Sequence, residues 1–100
     1  MDIRKEFEHL QYFFDSYYNQ TFYNAELEEQ LLQFLADEPK WVVRALKLEV
    51  EKLERIHHRS DTETWAKIEE LVHENSMRYF SFEDGKMFIE VASRLLKDVE

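Results

Sequence analysis

Residues 37–58 of the chain, DEPKWVVRALKLEVEKLERIHH, combine a helix start signal with a long amphipathic repeat. Proline fits the first turn of a helix, and an acidic residue before it can act as a cap. Apolar residues then recur at intervals of four, four and three positions, as Val42, Leu46, Val50 and Leu53. Because this is the period of one helix face, the stretch predicts a helix from Pro39 to about His58.

Similar apolar stripes on both sides of this segment predict four more helices. Residues 77–82 stay open between an extended connection and a frayed turn. The chain has one Gly and one Pro, so it can form few tight turns. We therefore expect an all-α, single-domain bundle of about five helices over residues 1–100. The four further helices run from Ile3 to Tyr18, from Ala25 to Ala36 after an Asn24 cap, from a Ser60 or Asp61 cap to about Asn75, and from the Ser81-x-x-Asp84 capping sequence to Val99.

The composition excludes several kinds of functional site. A single glycine cannot form a phosphate-binding loop or a GxSxG nucleophile elbow. The lack of cysteine excludes disulfides, thiolate metal sites and thiol nucleophiles, and it fits a reducing, cytoplasmic location. No stretch approaches the roughly 18 apolar residues of a membrane span, and the N-terminus has no signal-peptide pattern. We expect a protein that is not an enzyme and has no cofactor.

The charge distribution indicates the class of partner. The net charge is −9, and two acidic stretches flank a mildly basic middle: residues 1–40 hold nine acids and three bases, residues 41–60 three acids and five bases, and residues 61–100 ten acids and five bases. Such a protein repels nucleic acid and anionic membranes and attracts basic proteins. An acidic surface also serves solubility alone, which is the ordinary interpretation.

Seven aromatic residues fall between positions 12 and 23. One helix face spans about 100–140°, so neighbouring rings cannot all be buried equally. A wide core seam closed by the following loop is the ordinary interpretation. Because tyrosine combines a rigid contact area with a polar tip, we expect phenylalanines inside and some tyrosines outside, as part of a recognition surface. The seven are Tyr12, Phe13, Phe14, Tyr17, Tyr18, Phe22 and Tyr23.

Two Glu-x-x-His pairs, Glu54/His57 and Glu70/His73, have the spacing of metal ligands in di-iron helical bundles. At about 100° per residue, Glu70 lies almost opposite the apolar face of its helix. Glu54 lies near the rim of its own face. We therefore predict that both carboxylates face water and that the pairs do not hold a metal.

The N-terminal half resembles the contact-dependent growth inhibition immunity proteins. The segment FEHLQYFFDSYYNQ, residues 7–20, is similar to the aromatic-rich opening helix of that family. The acidic helix from Glu26 to Glu29 and the sequence FLADEP at residues 34–39 have counterparts there too. Thr21-Phe22 departs from the usual Asp followed by Trp or Phe. The resemblance covers about residues 7–50.

The resemblance implies a cytoplasmic antidote that binds the C-terminal toxin domain of a cognate CdiA-type surface protein, often a nuclease. An acidic helical protein can insert carboxylates into the positive cleft of a nuclease and gain a fast, electrostatically steered association. The protein is expected to be a monomer or a weak homodimer that binds neither nucleic acid nor membrane. The residues expected to contact the toxin are Asp15, Tyr18, Glu26, Glu29, Asp37 and Glu38.

Three other functions stay open at this point. A helical adaptor or regulatory subunit could bind a different basic protein. A DNA mimic would need acidic residues spaced like phosphates along one elongated face. A small metal-dependent enzyme would need the Glu-x-x-His pairs to converge.

Overall fold

The predicted apolar stripes form six helices in the computed structural model, which describes residues 2–20 and 26–99. No strand occurs among these residues, so the all-α prediction is confirmed. The described Cα atoms span 33 × 30 × 23 Å. The helices are α1 (Ile3–Glu6), α2 (Glu8–Tyr17), α3 (Leu27–Asp37), α4 (Lys40–His58), α5 (Thr62–Ser76) and α6 (Phe82–Leu96).

The long helix α4 packs against α2, α5 and α6. Its predicted apolar stripe is buried, as are the inward faces of the other helices from α2 to α6. Burying one such leucine or phenylalanine contributes about 1.5–3 kcal/mol to folding. The fully buried side chains of the core include Phe7, Leu10, Phe13, Phe34, Leu46, Leu53, Ile68 and Val72.

The first helix differs from its prediction, because it is interrupted at Phe7. This residue has φ −126° and ψ 33°, which separates α1 from α2. The backbone N–H groups of His9 and Leu10 donate to the Glu49 carboxylate, at 3.0 Å and 2.8 Å. A helix that continued through Phe7 would use these two N–H groups internally. The break therefore presents the N-terminus of α2 to a buried acid on α4.

Two further helix starts differ from the predictions. α3 begins at Leu27 with Glu26 as its N-cap residue, whereas Glu26 was expected inside the first turn. The predicted cap Asn24 and the predicted first residue Ala25 lie outside the described residues. α4 begins at Lys40, because Pro39 itself occupies the N-cap position in an extended conformation. The acids before Pro39 do not cap this helix.

The starts of α5 and α6 agree with their predicted capping residues. Asp61 accepts a hydrogen bond from the Thr64 N–H at 3.1 Å. Ser81 accepts one from the Asp84 N–H, also at 3.1 Å. Residues 77–81 connect α5 to α6 without helix or strand: Met77, the C-cap of α5, is left-handed with φ 61°, and Ser81 is extended. α6 ends at Leu96, three residues before the predicted end.

Gly85 lies where α6 crosses the buried ring of Trp65 on α5. A Cβ atom at Gly85 would lie 2.1 Å from Cζ2 of Trp65, closer than such contacts allow. The indole Nε1 of Trp65 donates to the Phe80 carbonyl at 2.9 Å. The one glycine of the chain thus permits the close packing of α5, α6 and their connection. In the described part of the chain, no helix has the length and apolar character needed to cross a membrane.

Candidate protein-binding surface

Four of the six predicted contact residues fall into two groups in the structure. Asp37 and Glu38 lie at the C-terminal end of α3, beside the outward face of α2. Asp15 and Tyr18 lie on the α5 side of α2 or at its end. Nothing in the described contacts joins the two groups into one site. Glu26 and Glu29 are exposed on α3.

The carboxylate of Glu38 is held by two tyrosine hydroxyls from α2. Tyr12 Oη donates to Glu38 Oε2 at 2.8 Å, and Tyr17 Oη donates to the same oxygen at 2.5 Å. The ring of Tyr17 packs against Phe34, with centroids 5.2 Å apart. Since two donors fix one acceptor, the negative charge of Glu38 has a defined position at this edge of the molecule.

This cluster raises the pKa values of both tyrosines. For Tyr12 the largest cause is the hydrogen bond to Glu38, because donating to a carboxylate stabilises the protonated phenol. For Tyr17 the largest cause is burial, and the bond to Glu38 adds to it. Both rings are therefore hydrogen-bond donors at neutral pH. The two pKa shifts agree with the geometry of a shared carboxylate.

Trp41 is the largest exposed apolar side chain next to this cluster, with 65% of its surface accessible. The His9 ring of α2 contacts it edge to face, with ring centroids 6.0 Å apart. Leu48, 56% exposed, lies on the same side of α4, seven residues further on. Two helical turns place these side chains about 10 Å apart along α4. They form an outward stripe beside the buried one.

We define the Trp41 surface as Tyr12, His9, Glu38, Trp41 and Leu48. It combines a tyrosine that is 39% exposed and donates to the fixed carboxylate, an exposed tryptophan, and an exposed leucine two helical turns further along α4. Exposed charges border it, including Asp37 at the end of α3 and Lys40 and Arg44 on α4. Tryptophan and tyrosine are enriched among the residues that dominate binding energy in protein interfaces. This arrangement is suited to binding another protein.

The sequence predicted that Asp37 and Glu38 contact a partner, but it did not lead to the same prediction for Trp41 and Leu48. The apolar repeat of α4 marks only the inward face of this helix, and Trp41 lies about 100° around the helix from Val42. A signal was present nonetheless: Trp41 and Leu48, separated by seven residues, repeat on a side of the helix that the core does not use.

The aromatic run follows the predicted division where the structure describes it. Phe13 and Phe14 are buried, whereas Tyr12 is exposed and Tyr17 and Tyr18 are half-buried. Phe22 and Tyr23 lie outside the described residues. The phenylalanines thus belong to the core, and Tyr12 contributes its exposed ring to the Trp41 surface.

Tyr18 forms one wall of a separate groove of about 220 Å³ between α2, α6 and the connection that joins α5 to α6. The Arg78 guanidinium lies 3.9 Å above the Tyr18 ring, and Arg78 Nε donates to the Tyr18 carbonyl at 2.9 Å. Tyr18 is therefore engaged within the molecule. Exposed Tyr79 and Met87 also line this groove.

Asp15 is tied to α5 rather than directed at a partner. Asn75 Nδ2 donates to Asp15 Oδ2 at 3.4 Å, and Oδ1 is buried with no hydrogen-bond partner among the described residues. Burial raises the pKa of this carboxyl above its usual range. Its half-buried position gives it less access to a partner than Asp37 has.

The Glu-x-x-His pairs do not converge. Glu54 and Glu70 are exposed, as predicted. The His57 ring stacks on Phe82, and its Nε2 lies 2.8 Å from the Phe82 carbonyl. In the described part of the chain, no group of three His, Cys, Asp or Glu side chains has an arrangement that could hold a metal ion.

No family model, curated protein or solved structure matches the chain. The chemistry of the Trp41 surface is therefore the starting point for the function.

Proposed function

We propose that this chain is an immunity protein that binds the C-terminal toxin domain of a cognate CdiA-type surface protein in the cytoplasm and blocks the toxin's activity. The observation that carries the proposal is the Trp41 surface, where exposed Trp41 contacts His9, one turn of α2 before Tyr12, which together with Tyr17 fixes the Glu38 carboxylate. The resemblance of residues 7–50 to the immunity family supplies the identity of the partner.

The apolar part of the surface supplies affinity in this proposal. In the free protein the Trp41 ring is 65% exposed, so its apolar surface stays in contact with water and the ring is not part of the core. When a partner covers it, burial of such a ring is worth about 2 kcal/mol or more. Tyr12 and Leu48 extend the area that a toxin pocket would cover.

The charges supply speed and selectivity. A net charge of −9 attracts a basic toxin over long range and raises the association rate. Glu38 then offers a fixed carboxylate for a cationic side chain of the toxin, and exposed Asp37 adds a second. A nuclease fits these requirements, because its substrate cleft is positively charged.

A DNA mimic is less well supported than a toxin-binding protein. Such a mimic needs acids in a row on an elongated face, whereas the described residues form a body of 33 × 30 × 23 Å. Lys40 and Arg44 also lie beside the Trp41 surface. An apolar patch that is surrounded by charges of both signs is typical of protein–protein interfaces.

The proposal is tested with the toxin domain encoded immediately upstream of the gene for this chain. The purified proteins are mixed at low salt and analysed by size-exclusion chromatography, and the toxin is expressed in cells with and without the chain. We expect a stoichiometric complex and restored growth. Absence of a complex at low salt, with no protection of the cells, would contradict the proposal.

A matched pair of charge variants separates specific contacts from net charge. Asp37→Asn with Glu38→Gln removes two acids at the Trp41 surface, and Glu63→Gln with Glu70→Gln removes two exposed acids on α5. We expect the first pair to weaken the complex by about tenfold or more and the second pair by only a few-fold. Equal losses would assign the binding to bulk charge alone.

A further inference from the structure

Glu49 is the buried carboxylate of the described core, with 5% of its surface accessible. Its Oε1 accepts from the backbone N–H of Leu10 at 2.8 Å and of His9 at 3.0 Å. Its Oε2 lies 2.7 Å from His9 Nδ1. One side chain of α4 therefore serves as the N-terminal anchor of α2.

This contact joins α2 and α4, which carry every residue of the Trp41 surface except Glu38 at the end of α3. α2 supplies Tyr12 and His9, and α4 supplies Trp41 and Leu48. The His9 ring lies between Glu49, to which it bonds through Nδ1, and Trp41, which it meets edge to face. A movement of α2 along or around α4 would break these contacts together.

We infer that Glu49 is a positioning residue for partner binding: its carboxylate sets α2 against α4 and, through His9, holds the Trp41 ring in the orientation that a partner meets. The inference rests on the proposed protein-binding function and adds the element that organises its contact surface. Glu49 itself does not touch the partner, because it lies beneath the surface.

The chemistry of the site supports a role beyond stability. Removing a carboxylate from water is costly, and an apolar side chain at position 49 would fill the core without that cost. Burial raises the pKa of Glu49 above its ordinary value even though three hydrogen bonds oppose the shift. Unlike an apolar side chain, the carboxylate forms directional hydrogen bonds with two backbone N–H groups and one imidazole.

The free protein gives the first test, by NMR of Trp41 and Tyr12 in wild type, Glu49→Ala, Glu49→Gln and His9→Ala. We expect Glu49→Ala to shift the Trp41 indole and Tyr12 ring signals, and Glu49→Gln to retain most of the wild-type pattern because the amide oxygen still accepts from α2. His9→Ala keeps the two backbone bonds to Glu49 and should shift Trp41 alone. It therefore serves as the test variant if Glu49→Ala does not fold.

Calorimetry with the toxin domain gives the second test. We expect Glu49→Ala or His9→Ala to weaken binding by about tenfold and Glu49→Gln to stay within about threefold of wild type. Gly85→Ala serves as the control that lowers Tm without touching the surface, because Gly85 packs on Trp65, whose ring contacts His57 at the opposite end of α4 from Trp41. Unchanged Trp41 and Tyr12 signals, or a control that loses as much affinity as Glu49→Ala, would overturn the inference. If the wild type binds no toxin, the proposed function fails, while the NMR comparison still decides whether Glu49 positions Trp41.

Discussion

At the scale of single residues, Glu49 explains a feature of the backbone that helix periodicity does not. The N-terminal stripe predicts one continuous helix, yet the chain breaks at Phe7 so that Glu49 can accept from His9 and Leu10. The acid lies 40 residues away from His9 in sequence. Nothing local in the sequence marks such a contact, which is why it could not be predicted.

Glu49 also has a distinct effect on stability. We expect Glu49→Ala to lower the free energy of unfolding by about 2–4 kcal/mol, because two buried N–H groups lose their acceptor. Glu49→Gln should cost much less, since it keeps an acceptor and removes a desolvated charge. Urea denaturation followed by circular dichroism measures both values. A Gln variant as unstable as the Ala variant would contradict this account.

The pH dependence of that stability has a defined sign. Burial raises the folded-state pKa of Glu49, so the unfolded chain loses this proton at a lower pH than the folded protein. The stabilising contribution of Glu49 to the free energy of unfolding is complete below the ordinary glutamate pKa. It declines as the pH rises through the raised pKa of the folded protein. Relative to Glu49→Gln, the wild type should therefore be most stable at acidic pH. Urea midpoints of the two proteins over a pH series test this trend.

The two tyrosines that hold Glu38 should titrate at higher pH than free tyrosine. Their stability contribution is present below the ordinary tyrosine pKa of about 10 and is lost as the pH rises, because the unfolded phenols ionise first. Glu38→Gln should lower the pKa of both tyrosines, and Tyr17 should keep a raised pKa because its shift arises mainly from burial. A pH titration followed by absorbance of the tyrosinate band measures both pKa values, and the variants Tyr12→Phe and Tyr17→Phe assign each titration to its tyrosine. A Tyr17 pKa that falls to the value of free tyrosine in Glu38→Gln would contradict the assigned causes.

At the scale of the elements, the helices with a clear stripe and a local cap were predicted well. α4, α5 and the start of α6 depend on short-range signals, such as Asp61 and Ser81, and these contacts span only three residues. The break between α1 and α2 depends on a contact between helices instead, that of Glu49 with His9 and Leu10. Of the Trp41 surface, Glu38 was predicted from the sequence, whereas Trp41 and Leu48 were not, because apolar residues outside the buried stripe do not show how the helices pack.

The crossing of α5 and α6 gives a prediction at this scale. Gly85→Ala should lower the free energy of unfolding by about 2 kcal/mol or more, although alanine is the better helix former by about 1 kcal/mol. The reason is the 2.1 Å approach of a new Cβ to the Trp65 ring. Because Trp65→Phe removes the atoms involved, the same substitution should cost less in that background. Denaturation of the four proteins measures the coupling, and additive effects would contradict the clash.

At the scale of the whole molecule, two properties combine in the proposed function. The net charge of −9 acts over distances set by the ionic strength, about 10 Å at 0.1 M salt. The Trp41 surface acts only on contact. We therefore expect added salt to slow association with a basic toxin domain and to leave the dissociation rate nearly unchanged, as surface plasmon resonance would show. A salt effect confined to dissociation would contradict this division.

The central claim is that the Trp41 surface is the contact surface, and one calorimetric comparison tests it most directly. Trp41→Ala and Tyr79→Ala each remove one exposed aromatic ring, on α4 and on the α5–α6 connection. Both variants should keep the wild-type Tm, because neither ring belongs to the core. We expect Trp41→Ala to weaken binding of the toxin domain by about 30-fold or more and Tyr79→Ala to have almost no effect. Wild-type affinity in Trp41→Ala, or an equal loss in Tyr79→Ala, would contradict the claim.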